Sequence, residues 1–324
     1  MGSHPLKAAA TTLGVVAAAG AAAFAYGSLV ERNAFTVRHE TLPILDVGAR
    51  SLTVLHISDL HMAPWQYNKQ EWVRSLAMFE PDLVINTGDN LGHEEGLSGI
   101  RHALEPFRGI PGVFVYGSND YYGPTFKNPL KYFKSPSSNQ VFREADTLDI
   151  DAMERFFEDS LGWLDLNNTA RALLLKGSRL EFVGTNDAHR QWDALEKLPG
   201  AIDDMRENVA WQDDRNGPEV VTVGVTHAPY QRVLDAFVTY GADAIFAGHT
   251  HGGQVRIPGM PALVTNCDIP RAQASGLSHW THAQRAAYLN VSAGLGTSIY
   301  APVRFACKPE AVLVTLTARD FSYS

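Results

Sequence analysis

Asp59 and His61 stand two residues apart, as do His249 and His251, and Asp89 follows directly on Gly88. Carboxylates and imidazoles together suit a hard or borderline divalent cation. Two donors separated by one residue can reach a single ion from a short extended tip. Gly88 has no side chain, so the backbone can turn sharply there and bring the Asp89 carboxylate inward. A lone histidine is more often structural than ligating. An Asp-x-His pair, a His-x-His pair and a Gly-Asp, each closing an apolar run, are not explained that way. His227 also ends such a run and joins the set.

The elements that must carry these residues are short, β-rich runs that break into polar or glycine-rich loops. Leu52 to Ile57 ends in Ser58-Asp59-Leu60-His61, residues 82–85 in Thr87-Gly88-Asp89-Asn90, and residues 113–116 in Gly117-Ser118-Asn119-Asp120. Residues 180–183 stop at Gly184, residues 220–225 lead into Thr226-His227, and residues 244–246 come just before Gly248-His249. Runs of this kind read as buried strands. Helix-like stretches lie between several of them, at 69–79, 99–107 and 231–240. Strand, polar tip and helix in repetition predict a layered α/β fold. Chemistry in such sheets gathers at the carboxyl ends of strands, where every polar tip falls. Residues 121–168 break the rhythm with Pro124, Pro129, Pro136 and an acidic helix near 151–160, and read as an insertion or flap over the site.

The net charge of -8 argues against a nucleic-acid partner, because phosphate backbones select basic surfaces. Cys267 and Cys307 are too few for a disulfide framework or a structural zinc site. The chain has no Walker-type loop and no Gly-x-Ser-x-Gly elbow, which argues against an NTPase or a serine hydrolase. From Ala8 to Val30 there is no charged residue. As a helix rising about 1.5 Å per residue this stretch is roughly 35 Å long, enough to cross a bilayer core of about 30 Å. Residues 1–35 therefore read as an N-terminal anchor and 36–324 as the catalytic domain. The rival readings are a cleaved signal, since Ala23-Phe24-Ala25 has the small-x-small form, and a buried helix of the domain. Lys7 and the terminal amine precede the stretch, while Glu31 and Arg32 nearly cancel after it. The slight bias puts the N-terminus in the cytoplasm and the catalytic domain outside the cell membrane. A chain beginning near Arg32 is then expected to be soluble and active.

The order Asp59-x-His61, Gly88-Asp89, Gly117-Ser118-Asn119-Asp120, His227, Gly248-His249-x-His251 resembles the calcineurin-like metallophosphoesterase superfamily over residues 52–317. The phrases Ser58-Asp59-Leu60-His61 and Gly248-His249-Thr250-His251-Gly252-Gly253-Gln254 resemble its bacterial membrane- or wall-associated branch. The resemblance implies a four-layer α/β/β/α sandwich of two mixed sheets flanked by helices. It implies two divalent ions (Mn, Fe or Zn) and a bridging hydroxide that attacks a phosphomonoester or phosphodiester in line. Carried over, Asp59, His61 and His251 bind one ion, Asn119, His227 and His249 the other, and Asp89 bridges them.

The third motif departs from the family pattern of Gly-Asn-His-Asp or Gly-Asn-His-Glu. A strict match makes Ser118 the ligand; a one-residue shift keeps Asn119 as ligand and puts Asp120 at the histidine place. An amide oxygen ligates a divalent ion better than a neutral hydroxyl, so the shift is favoured, with Asn119 and Asp120 as catalytic candidates. The missing histidine also leaves open a catalytically impaired scaffold that serves as a binding module. An anchored hydrolase suits a phosphoester on a lipid or envelope component. Lys127, Lys131 and Lys134, among the aromatics of the flap, are placed to meet an anionic surface, each worth about 1 kcal/mol there.

Overall fold

The computed structural model describes residues 4–123, 147–211, 214 and 217–320. Lys127, Lys131 and Lys134 lie outside these residues. Among the described residues twelve strands form two six-stranded sheets. The first sheet holds β1 (Thr36–Leu45), β2 (Leu52–Ile57), β3 (Leu83–Asn86), β4 (Gly112–Phe114), β5 (Leu164–Asp165) and β12 (Glu310–Ala318). The second holds β6 (Thr169–Leu175), β7 (Ser178–Gly184), β8 (Val220–Val225), β9 (Ala244–Ala247), β10 (Gly276–His282) and β11 (Arg285–Val291). Their orders are β1-β12-β2-β3-β4-β5 and β10-β11-β9-β8-β7-β6. Both sheets are mixed: β12 runs antiparallel to β2, and β11 antiparallel to β10, while the central strands are parallel.

Three apolar layers hold four layers of structure together. Between the sheets lie Leu52, Ile85, Val113, Phe182 and Phe246. Helices Tyr67–Ser75 and Gly96–Leu104 cover the first sheet through Val73, Ile100 and Leu104. Helices Leu198–Asn208 and Gln231–Thr239 cover the second through Ile202, Val233 and Phe237. Each fully buried Leu, Ile or Phe contributes roughly 1.5–3 kcal/mol. The α/β/β/α sandwich is the architecture expected, and the parallel strands β2, β3, β4, β8 and β9 all carry their carboxyl ends to one edge.

One expectation needs correction. The insertion does not extend to residue 168: the helix Ile150–Arg155 continues into a wider π-type turn, Phe156–Leu161. Phe157 and Trp163 are then buried in the first outer core, and β5 pairs with β4. The N-terminal segment, residues 1–35, also touches the domain at its end. The helix His4–Leu29 is exposed along most of its length, so it is no core helix. Its last turn, however, is docked on the domain. Glu31 is buried and its Oε1 accepts a hydrogen bond from Cys307 N at 2.7 Å. The Phe35 ring packs on Trp72. A chain beginning at Arg32 loses the Glu31 contact.

Candidate metal centre

Loops after β2, β3, β4, β8 and β9 converge. Asp59, His61, Asp89, His249 and His251 all adopt left-handed backbone, with φ of 50°, 38°, 55°, 66° and 48°. Side chains other than glycine enter this region at a cost, and its clustering marks functional sites. The approach is tight: a Cβ on Gly117 would sit 2.2 Å from Asp89 Oδ1, and one on Gly248 would sit 2.6 Å from Asp59 Oδ2. Only glycine lets these loops pass so close to the carboxylates.

Two donor sets result, Asp59 with His61 and His251, and Asp59 with Asp89 and His227. The ligand atoms of each lie within 4.8 Å of one another. His61 Nε2 and His251 Nε2 face each other at 3.2 Å, and His251 Nε2 is 3.5 Å from Asp59 Oδ1. A single oxygen of the second set, Asp89 Oδ2, lies 3.4 Å from His227 Nε2 and 3.6 Å from His61 Nε2 of the first. The other oxygen of Asp59 is held by Ser58 Oγ at 2.6 Å and by His249 N at 3.0 Å, leaving Oδ1 to face the cluster.

The residues fit a cation. Asp59 Oδ1 and His227 Nε2 are buried without a hydrogen-bond partner, whereas buried polar atoms are normally paired. His227 Nδ1 donates to Thr87 O at 2.7 Å, which turns the lone pair of Nε2 into the site. Burial opposes charge on His227, yet the carboxylates of Asp89, Asp59 and Asp187 outweigh it and hold its pKa well above the usual histidine range. Burial, with the negative charge of Asp89, lifts Asp59 to about 6 against the pull of His227. Without a metal the carboxylates draw positive charge onto His227 alone, while burial pushes His61 down to about 4 and His251 well below the usual histidine range.

The third motif forms the short helical turn Ser118–Tyr121. Asn119 reaches Asp89 twice, through its backbone N to Oδ1 at 2.9 Å and through Nδ2 to Oδ2 at 2.6 Å. Rotation about the terminal torsion presents the amide oxygen at the same place. Ser118 offers its carbonyl to Tyr122 N. Asn119→Ala is therefore expected to weaken metal uptake by more than about 10-fold, a typical cost for residues supporting a metal, and Ser118→Ala to leave it nearly unchanged; isothermal titration with Mn measures both.

Asp120 lies beneath this turn, fully buried. Its Oδ2 accepts from Asp89 N and Gly117 N at 2.8 and 3.0 Å, and its Oδ1 from Asn90 N and Leu91 N at 2.7 and 3.3 Å. The carboxyl group clamps two motif loops together.

His249 stands at the edge of the cluster, its Nε2 3.2 Å from Asn266 O and its ring 5.2 Å from that of His227. His189, from the loop after β7, arrives beside it, its backbone N donating to Asp187 Oδ1 at 2.8 Å. The His189 ring lies 4.4 Å from His249, with Nδ1 3.0 Å from the Tyr230 hydroxyl. His56 is the satisfied core histidine its strand position suggests, bonded to Thr87 and Asn290 and pushed down to about 3, chiefly by burial.

Residues 52–253 match the profile of the calcineurin-like phosphoesterases. The chain belongs to that family. It is a metal-dependent phosphoester hydrolase, and the family uses a dinuclear divalent metal centre. Among other members, this calcineurin-like phosphoesterase is 26% identical over 290 residues to the uncharacterized protein YpbG of Bacillus subtilis (strain 168), covering 86% of this chain and 87% of that one. It is 24% identical over 267 residues to YkoQ of the same organism, an uncharacterized metallophosphoesterase, covering 81% and 82%. Solved structures with a similar course include the NAD nucleotidase NadN of Haemophilus influenzae, at 10% identity and a TM-score of 0.41 over 76% of this chain and 51% of that one. A dimetal phosphatase from Danio rerio gives 8% identity and 0.39 over 75% and 88%.

Proposed function

We propose that this phosphoesterase works at a membrane on a lipid or envelope phosphoester, with the residues above in defined places. Asp59, His61 and His251 hold one divalent ion, Asn119, His227 and His249 the other, and Asp89 is shared. The observation that carries the assignment is the position of Asp89 Oδ2 between His61 and His227. When bound, the ions supply Lewis-acid stabilisation of the charge that builds on the phosphoryl oxygens. The chain's part is to hold that pair rigidly. Thr87 O orients His227, Ser58 and His249 N orient Asp59, and Asp120 ties the Asp89 loop to the Asn119 turn.

The membrane reading is supported by the stretch Thr11–Asn33, a single helix long and apolar enough to cross a bilayer. It is supported further by exposed apolar residues at the helix base. Val255 pairs with Phe305, whose ring lies edge-on to Tyr26 at 6.3 Å. Ile257, Met260 and Tyr300, close by in the chain, are exposed. Apolar and aromatic side chains of this kind favour a bilayer interface, and His251 is only four residues from Val255. The slight charge bias around the span favours an extracytoplasmic catalytic domain.

Full-length protein is expected to sediment with membranes and, with added Mn, to hydrolyse both a soluble aryl phosphodiester and a phospholipid in anionic vesicles, favouring the vesicles. Hydrolysis of neither would defeat the metal assignment. Equal rates on both, or soluble full-length protein without detergent, would defeat only the membrane reading.

A further inference from the structure

Two buried basic side chains stand behind the first donor set. Lys69 Nζ donates to the carbonyls of Leu60 at 2.6 Å and His61 at 3.3 Å. Arg304, in the connection between β11 and β12, is fully buried. Its Nη2 donates to the carbonyls of Ala293, Gly294 and Gly296 at 2.7, 3.0 and 2.8 Å and lies 3.4 Å from His251 Nδ1. Its Nη1 reaches the carbonyls of Cys307 and His251 at 3.3 and 3.5 Å. Among the described residues neither side chain forms an ion pair. Taking an unpaired charge out of water is expensive, and hydrophobic packing would cost less if bulk stability were the only demand.

What Arg304 grips explains the expense. A Cβ on Gly294 would lie 2.6 Å from Asp59 Cβ, and one on Gly296 would lie 2.7 Å from His61 Cβ. These two glycines are therefore the wall against which Asp59 and His61 rest, and Arg304 holds both of their carbonyls. The same guanidinium touches the carbonyl and the ring of His251. One planar fork of donors thus fixes all three residues of the first set, which occupy the costly left-handed region.

Arg304 is itself held from behind by the end of the apolar helix. Its backbone N donates to Gly27 O at 3.2 Å, and a Cβ on Gly27 would come within 2.6 Å of Arg304 O. Glu31 caps the same segment through Cys307 N.

We propose that Arg304 is a positioning residue for the first metal subsite and that the turn from Gly27 to Glu31 sets its place. The helix end is then part of the catalytic framework as well as a tether. This rests on the dinuclear reading above.

The test uses full-length protein in detergent, with Mn binding, kcat and KM, and thermal melting measured together. Arg304→Lys keeps the charge and loses the fork. It should weaken one of two Mn sites by about 10–100-fold, the usual cost of losing a partner behind a metal ligand, and raise the Mn concentration needed for activity while KM for the phosphoester stays within a few-fold. Glu31→Ala, which leaves the guanidinium in place, should weaken the same site to a lesser degree, and Glu31→Gln, which keeps an acceptor for Cys307 N, should restore it. Wild-type Mn affinity at both sites in Arg304→Lys, with only a lowered melting temperature, would overturn the proposal and leave the dinuclear centre standing. Failure of the wild type itself to bind two ions would overturn both.

Discussion

Asp89→Ala is expected to abolish uptake of both metal ions and to lower turnover by well over 100-fold. That factor is roughly the upper end of the cost of losing a group one step behind a ligand, and Asp89 is the residue proposed to be shared by both ions. Its Oδ2 lies between His61 and His227, while its Oδ1 accepts from Asn119 N. Removing the carboxylate takes a donor from the second set and also the largest attraction that holds His227 above its usual pKa. Metal analysis of dialysed protein, read beside the rate on a soluble diester, checks the result. Two bound ions and full activity in the variant would remove Asp89 from the centre.

Asp120→Ala is expected to cost at least about 3 kcal/mol of stability. Four backbone N–H groups from two loops donate to this carboxyl group in a fully buried place. Each buried donor left unpaired costs about 1–3 kcal/mol. Denaturant unfolding measures it. Asp120→Asn removes the acidic proton and also sets an amide NH2 against two of the four backbone N–H groups, so leaving-group dependence, and not the size of the loss, separates clamping from a leaving-group acid. If Asp120 clamps, the fall in rate is the same for good and poor leaving groups; a loss that shrinks as the leaving group improves would make it the acid.

The residues legible in the sequence were those whose meaning is local. An Asp-x-His at a strand tip announces its geometry within three residues, and so did Gly88-Asp89 and His249-x-His251. The buried parallel strands were equally plain, because burial on both faces leaves a continuous apolar run, as in β3 and β9. β1, β5, β6, β10, β11 and β12 were not read, and four of these six, β1, β5, β6 and β10, are edge strands. Half-exposed, β1, β6 and β10 carry Arg38, His39 and Glu40, or Arg171, or His279 and His282, and lose the apolar signature.

Spacing alone could not say which neighbour in Gly117-Ser118-Asn119-Asp120 points where. The helical turn separates them, sending the Asn119 amide to Asp89 and the Asp120 carboxyl to the backbone beneath. The placement of Arg304 and Lys69 behind the first donor set could not be read for a different reason. Arg304 is 53 residues from His251 in sequence, and Lys69 works through carbonyls rather than through any side-chain pattern. Nothing in a one-dimensional pattern records which backbone oxygens a buried basic side chain will meet.

The docking of the helix end bears on how the chain could be matured. A protease acting on Ala23-Phe24-Ala25 and cutting after Ala25 would leave Tyr26 as the first residue. Every contact described here between the helix end and the 303–307 segment, from the Tyr26 ring to the Glu31 carboxylate, lies on the retained side of that bond. Release from a bilayer and an intact centre are thus compatible at that bond, and a cut six residues further on would separate them.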